Sequence, residues 1–296
     1  MYDVIIIGAG PAGLFSSLYL ARNSKLKVLL VDEGKFTRKR VCPMNSKGIP
    51  CTNCNPCNIL SGYGGAGTFS DGKLNFIPKL GKTDLYKLID EVKEIFNEFN
   101  MDNKTYPTNM EEAKELDEKI ARAGANLLII KQKHLGSDYL PKYIEDIENT
   151  LKDLGVTLLD SFKCNDIKKE KDYYVVSSKN KKYKTKNVIV APGRTGAKWV
   201  QELADKYNIP YTSQSIEIGV RVEVRKEILR SITDIIYDPT IFIKTPTYDD
   251  EIRTFCTNPG GFVAKENYYG YICVNGHALK DVKSANSNFA FISKVN

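Results

Sequence analysis

What most limits the folds open to this chain is its opening stretch, YDVIIIGAGPAGLFSSLYLARNSKLKVLLVDEG, Tyr2 to Gly34. Val4-Ile5-Ile6-Ile7, after Asp3, is an unbroken β-branched run, as expected of a parallel strand covered on both faces. It runs directly into Gly8-Ala9-Gly10-Pro11-Ala12-Gly13, a G-x-G-x-x-G sequence. The first glycine permits a tight turn, the second lets backbone come close to a pyrophosphate, and the third lets the next helix pack on the sheet. Leu14, Leu18 and Ala21 recur at helical spacing, so a diphosphate would meet the positive end of that helix. A second apolar strand, Lys27 to Val31, ends in Asp32, 19 positions beyond Gly13. An acid at that tip accepts hydrogen bonds from a ribose and repels a 2′-phosphate. A glycine-rich turn in an ordinary βαβ unit would explain the glycines but not the acid. Strand, glycines, helix, strand and acid in this order predict a dinucleotide site.

The 296 residues are enough for two domains and a sizeable core. The net charge of +7 comes from 43 basic and 36 acidic residues. Much of it lies between Lys163 and Lys186, where lysines alternate with short apolar runs. That pattern predicts solvated β-ribbons and not a nucleic-acid groove. The first strand begins at once, without a basic leader, and no apolar run nears the ~20 residues of a membrane helix. Neither nucleic acid nor membrane is therefore expected as a partner. Seven cysteines, four of them within sixteen residues, argue for a reducing cytoplasm and against a secreted disulfide scaffold.

Those four cysteines, Cys42, Cys51, Cys54 and Cys57, form a C-x8-C-x2-C-x2-C array held in turns by Pro43, Gly48, Pro50 and Pro56. In a cytoplasmic chain such an array predicts metal ligands, with zinc and an iron–sulfur cluster both open and free or redox-active thiols as the alternative. Just before it, Arg38, Lys39 and Arg40 leave the tip carrying Asp32. They are either a solvated link or, with Arg40 the candidate, a contact to cofactor phosphate or adenosine. Just after it, Ser61 to Leu74 holds five glycines in fourteen residues. A flexible linker would strand Tyr63, Phe69 and Leu74. A loop lying against the cofactor fits better, with Gly65, Ala66 and Gly67 close to it and Thr68, Ser70 and Asp71 offering polar contacts.

Farther on, apolar periodicity predicts helices over Leu85–Phe99, Glu111–Ala123, Tyr139–Leu154 and Trp199–Tyr207. Strands are expected over Ala125–Lys133 and Val156–Leu159, then a β-meander from Phe162 that returns through the buried strand Asn187–Val190. That strand ends in a second glycine turn, Ala191-Pro192-Gly193, so one ligand would be gripped from both sides. His134, one of two histidines, is a weak candidate for handling protons, with a structural histidine the commoner reading. Beyond Trp199 the pattern changes to strands near Ile216–Val224, Ile241–Ile243, Thr254–Cys256 and Tyr271–Asn275, as in an antiparallel substrate or cap domain.

Together these stretches resemble a family. The opening fingerprint and Val188 to Gly193 are similar to FAD-binding oxidoreductases of the glutathione-reductase type. GGAGTFSDGKL (Gly64 to Leu74), HLGSD (His134 to Asp138), APGRTGA (Ala191 to Ala197), EIGVRVE (Glu217 to Glu223), PGGFV (Pro259 to Val263) and VNG (Val274 to Gly276) resemble, more narrowly, the bacterial FAD-dependent dehydrogenases. The resemblance implies an α/β fold with a Rossmann-like FAD-binding domain, parallel sheet and β-meander, plus an antiparallel β-rich cap. The expected division is residues 1–80 and 141–198 for FAD, and 81–140 and 199–296 for substrate. It implies Gly8, Gly10 and Gly13 at the pyrophosphate with Pro11 and Ala12 between them, Asp32 on the adenosine ribose, and Glu33 among the cofactor-binding residues. Backbone at Cys164 would lie near the adenine, and Ala191 to Gly193 along the cofactor. Family members continue into a further glycine-containing strand–turn–helix beyond the position of Asn296. The function implied is hydride or electron transfer between a small organic substrate and FAD, with NAD(P)H or another electron-transfer partner. An NAD-linked dehydrogenase, a flavin-dependent RNA-modifying enzyme and a non-catalytic FAD-binding remnant are the alternatives.

Overall fold

The computed structural model describes residues 1–77, 79–80, 83–100, 104–268 and 270–295. The chain divides into two units. The first comprises Met1–Phe69, Pro141–Thr212 and Glu266–Cys273. The second comprises Ser70–Leu140, Ser213–Lys265 and Val274–Asn296.

The first unit is built outward from β1 (Tyr2–Ile7), α1 (Pro11–Asn23) and β2 (Val28–Val31). β1 and β2 run parallel, with Val4 opposite Val28 and Ile7 opposite Val31. The apolar run is used on both faces. Ile5, Ile7, Leu29 and Val31 pack with Phe162, Ile167 and Val176, while Leu30 turns the other way, towards α1 beside Gly13. Thr157–Leu159 extends the sheet in parallel beyond β2. On the opposite side Lys182–Val190 is a single nine-residue strand with two partners. Its first residues close an antiparallel meander with Tyr174–Ser177, which in turn pairs with Asp166–Lys169. Its later residues lie parallel to β1, placing Val190 opposite Ile7. The meander and the strand that returns to β1 are thus one element. Leu140–Asp153 contributes buried Ile144, Ile147 and Leu151.

The second unit holds a five-stranded sheet in the order Ile216–Arg225, Asn286–Val295, Glu251–Asn258, Thr240–Lys244, Ala125–Leu128. Every pairing in it is antiparallel. A separate three-stranded sheet sets Lys131–His134 between Lys73–Phe76 and Thr105–Tyr106. The single strand expected over Ala125–Lys133 is therefore two strands in two sheets. The reason is hydrogen bonding. Leu128 pairs with Thr240, the first residue of its partner strand, so backbone beyond it finds no acceptor there and pairs with Lys73–Phe76 instead. Helix Met110–Arg122 begins one residue before the expected Glu111, because the Asn109 side chain accepts a hydrogen bond from the Glu111 amide. Its Ala113 and Leu116 pack against Ile236. Among the described residues no helix is long and apolar enough to cross a membrane.

Candidate functional site: a glycine-lined cleft

Five segments of the first unit meet around a cleft of about 750 Å³. Gly8, Gly10, Pro11 and Ala12 come from the turn after β1, and Asp32 and Glu33 from the tip of β2. Gly65, Ala66 and Gly67 come from the second glycine loop, Cys164 from the start of the meander, and Ala191, Pro192 and Gly193 from the last turn. Residues far apart in sequence are strapped together by backbone. Gly8 donates to Val31 O (2.8 Å), Gly64 to Ala9 O (2.8 Å) and Ala191 to Ile7 O (2.7 Å). Gly8 has φ +101°, and a Cβ there would sit 2.1 Å from Ala191 O, so no other residue fits.

Above Gly10 the space is open: the nearest atom to a Cβ placed there is Gly65 Cα, at 3.9 Å. The start of α1 carries no side-chain cap and no acid in its first turn. Its orphan amides are therefore left for an anion. Asp32 closes the turn from below: Oδ2 accepts from Ala9 N (2.8 Å) and Oδ1 from Gly34 N (2.8 Å). Burial pushes its pKa up, and the two amide bonds pull the other way.

The remaining residues expected at the cofactor lie elsewhere. Gly13 lies in the first turn of α1, on its buried face, where a Cβ would come within 1.8 Å of Gly8 O. Arg40 is buried and points into the unit, donating to Tyr63 O (2.6 Å), Ile59 O (2.7 Å), Asn58 O (3.0 Å) and Thr68 Oγ1 (3.0 Å). Burial lowers its pKa to about 10 against the opposing pull of Asp32, Cys57 and Glu148. Arg40 and Thr68 thus brace the second glycine loop from behind. Ser70 and Asp71 belong to the second unit.

The cysteine array does not converge. Cys42, Cys51, Cys54 and Cys57 are free thiols, with Cys54 Sγ 3.3 Å from Thr52 Oγ1 and Cys51 Sγ 3.7 Å from Asn53 Oδ1. Among the described residues no group of three or more His, Cys, Asp or Glu side chains is placed to hold a metal ion. The geometry thus offers neither zinc nor an iron–sulfur cluster a ligand set.

His134 lies in the second unit, paired across the sheet with Lys73 and stacked on Tyr237 (ring centroids 4.3 Å apart). Its Nε2 is buried without a hydrogen-bond partner. Burial, then the charges of Lys283 and Lys73, bring its pKa down to about 4. The unfolded chain, with an imidazole near 6.5, therefore takes up a proton before the folded one does. Stability should fall as pH drops from about 6.5 to about 4, by up to about 3 kcal/mol from this group. His134→Gln should flatten that part of the profile, read from urea unfolding at pH 7 and pH 4.5. An unchanged slope would mean that the imidazole is not held neutral.

Sequence reading did not find Ser61, Lys163, Trp199 and Glu202, which also line the cleft. Tyr63, expected only as a residue that a linker would strand, is fully buried, and its hydroxyl donates to Leu30 O (3.1 Å) and so ties the second glycine loop to β2. The one available signal for Tyr63 was its position inside the glycine run.

No protein-family model matches the chain. An uncharacterised protein of Clostridium beijerinckii is 27% identical over 301 residues, covering 96% of this chain and 50% of the relative. A shorter match, 51% identical over 41 residues, is to an uncharacterised protein of Methanosarcina barkeri, covering 14% of this chain and 10% of that one. The chain spans about half the length of the Clostridium relative. Among solved structures, the open form of NikD, an amino acid oxidase of nikkomycin biosynthesis, matches with a TM-score of 0.51 and 13% identity. The match covers 100% of this chain and 71% of NikD. At that identity the likeness is one of fold: α/β, with a Rossmann-like sheet containing parallel strands beside antiparallel sheets.

Proposed function

We propose that this chain carries the nucleotide-holding unit of an FAD-dependent oxidoreductase acting on a small organic molecule. The observation that supports it most is the open space over Gly10 at an uncapped helix start, ringed by three glycine-bearing loops. A diphosphate needs backbone N–H groups at close range and no Cβ in the way, and the turn after β1 supplies both.

The residues present fit the adenosine diphosphate half of FAD. Gly10, Pro11 and Ala12 would face the diphosphate, Asp32 and Glu33 the ribose, and backbone near Cys164 the adenine. Burial raises the Cys164 thiol to about 12, so it is neutral near pH 7 and adds no charge there. FAD, when bound, supplies a two-electron acceptor. The chain's own contribution is to hold the nucleotide rigidly, because backbone hydrogen bonds fasten the loops of the cleft to β1, to β2 or to the residues that directly follow them.

The test is a pair of titrations. FAD and ADP should each bind the wild-type protein. Gly10→Ala should leave the melting temperature of the nucleotide-free protein unchanged, since Gly10 has an ordinary φ of −70° and free space for a Cβ. It should still weaken ADP and FAD at least about tenfold, roughly 1.4 kcal/mol. Failure of the wild-type protein to bind either nucleotide would overturn the proposal.

A further inference from the structure

Two adjacent acids, Asp32 and Glu33, line the cleft, and they are held in different ways. Each oxygen of Asp32 accepts a backbone N–H at 2.8 Å, one from the turn after β1 and one from the chain leaving β2. Asp32 is 8% exposed. Its carboxylate is committed to bracing the turn. Glu33 stands at the rim with its side chain 27% exposed. Its Oε1 accepts from Ser61 Oγ (2.9 Å), and its Oε2 lies 3.6 Å from Lys163 Nζ. Ser61 and Lys163 also line the cleft.

We infer that Glu33, and not Asp32, selects the nucleotide at its ribose. The inference rests on the nucleotide reading above and adds to it the residue that discriminates and the ligand it excludes. Glu33 has lone pairs left to accept a ribose hydroxyl, and Ser61 fixes its orientation. A 2′-phosphate would bring about −1.5 to −2 charges beside a partly desolvated carboxylate, which is repulsive. Glu33 also pairs with Lys163, the cation beside it that such a phosphate would draw on, in a cleft whose lining also includes Arg194 and Lys198. The site should therefore take adenosine nucleotides with a free 2′-hydroxyl and reject those phosphorylated there. With Glu33 neutral, Lys163 is released and the preference should collapse or invert.

The experiment is displacement of a fluorescent etheno-ADP probe by 5′-AMP and by adenosine 2′,5′-bisphosphate, which differ only in the 2′-phosphate. The wild-type protein should favour 5′-AMP at least tenfold. Glu33→Gln should bring that ratio to threefold or less, or reverse it. Adding Lys163→Met to Glu33→Gln should weaken the bisphosphate again. Asp32→Asn should weaken both nucleotides alike and lower the melting temperature, leaving the ratio near wild type. A ratio that ignores Glu33→Gln, or that moves as far with Asp32→Asn, would overturn the assignment while the dinucleotide site stands. If neither nucleotide displaces the probe from the wild-type protein, the dinucleotide reading falls and this inference with it.

Discussion

Valine at position 13 is expected to remove more than about 4 kcal/mol of stability, a large share of the roughly 5–15 kcal/mol that holds a domain folded. Gly13 lies inside α1, so backbone conformation is not the obstacle. The obstacle is distance: a Cβ would lie 1.8 Å from Gly8 O and 3.0 Å from Gly8 C, both backbone atoms with no rotamer to change. Relief would require α1 to lift off the sheet, and Leu14 and Leu18, both buried, would leave the core with it. Each such side chain is worth about 1.5–3 kcal/mol when fully buried. Thermal unfolding followed by circular dichroism should show Gly13→Val aggregated, or melting far below Gly10→Ala. Those two glycines belong to one sequence pattern, but one is required by packing and the other by the ligand. A Gly13→Val protein that melts within a few degrees of wild type would contradict the packing described here.

Lys73→Met should destabilise the second unit by about 3–5 kcal/mol, the range for breaking a buried ion pair by removing one partner. Lys73 Nζ lies 2.7 Å from Asp71 Oδ2 and 3.1 Å from Asp238 Oδ2, with all three side chains at least nine-tenths buried. Asp238 is itself fixed, accepting from Thr257 N (2.7 Å) and clasped through its backbone by the Gln132 amide. Without the ammonium, two carboxylates would face one another in a dry interior. Burial by itself would lower the pKa of Lys73, but Asp71 and Asp238 outweigh it and hold the pKa above its ordinary 10.5. For a lysine raised in this way the stabilisation is complete below the unfolded value of 10.5 and fades only as pH climbs through the folded one. The gap between wild type and Lys73→Met should therefore be level from pH 7 to about 10 in urea unfolding. Combining Lys73→Met with Asp71→Asn and Asp238→Asn should recover most of the loss, since no unpaired charge remains. If the triple variant is no better than the single one, the damage comes from lost packing and not from stranded charge.

The triad also shows where reading along the chain stops being informative. Asp71 stands in the string Gly64 to Leu74, which looked like one loop against a cofactor. The fold divides that string: Gly65 to Gly67 line the cleft, while Asp71 and Lys73 are buried in the other unit with Asp238, 165 positions later than Lys73. Arg40 offers the same lesson. Three adjacent cations after a nucleotide-type strand invite a phosphate contact, but the side chain turns inward, where four oxygens already accept from it. The four cysteines have spacing that suits a ligand set, but spacing does not decide where Sγ atoms point, and here they do not meet.

From the sequence alone, the β1–turn–α1–β2 unit, the antiparallel character of the second half and most glycines of the cleft (Gly8, Gly10, Gly65, Gly67 and Gly193) were legible. Each depends on something local: a run of branched apolar residues, a 3.6-residue period, or a position that cannot carry a Cβ. Those requirements are met or failed by residues within a few positions of one another. Only the tertiary structure decided that Asp32 braces the turn while Glu33 stands at the rim, that Arg40 holds a loop from behind, and that Lys73 is neutralised from two directions. These outcomes turn on which buried polar atoms find partners across long stretches of chain. Packing sets those partners, because a buried charge goes wherever the folded chain offers it a counterpart.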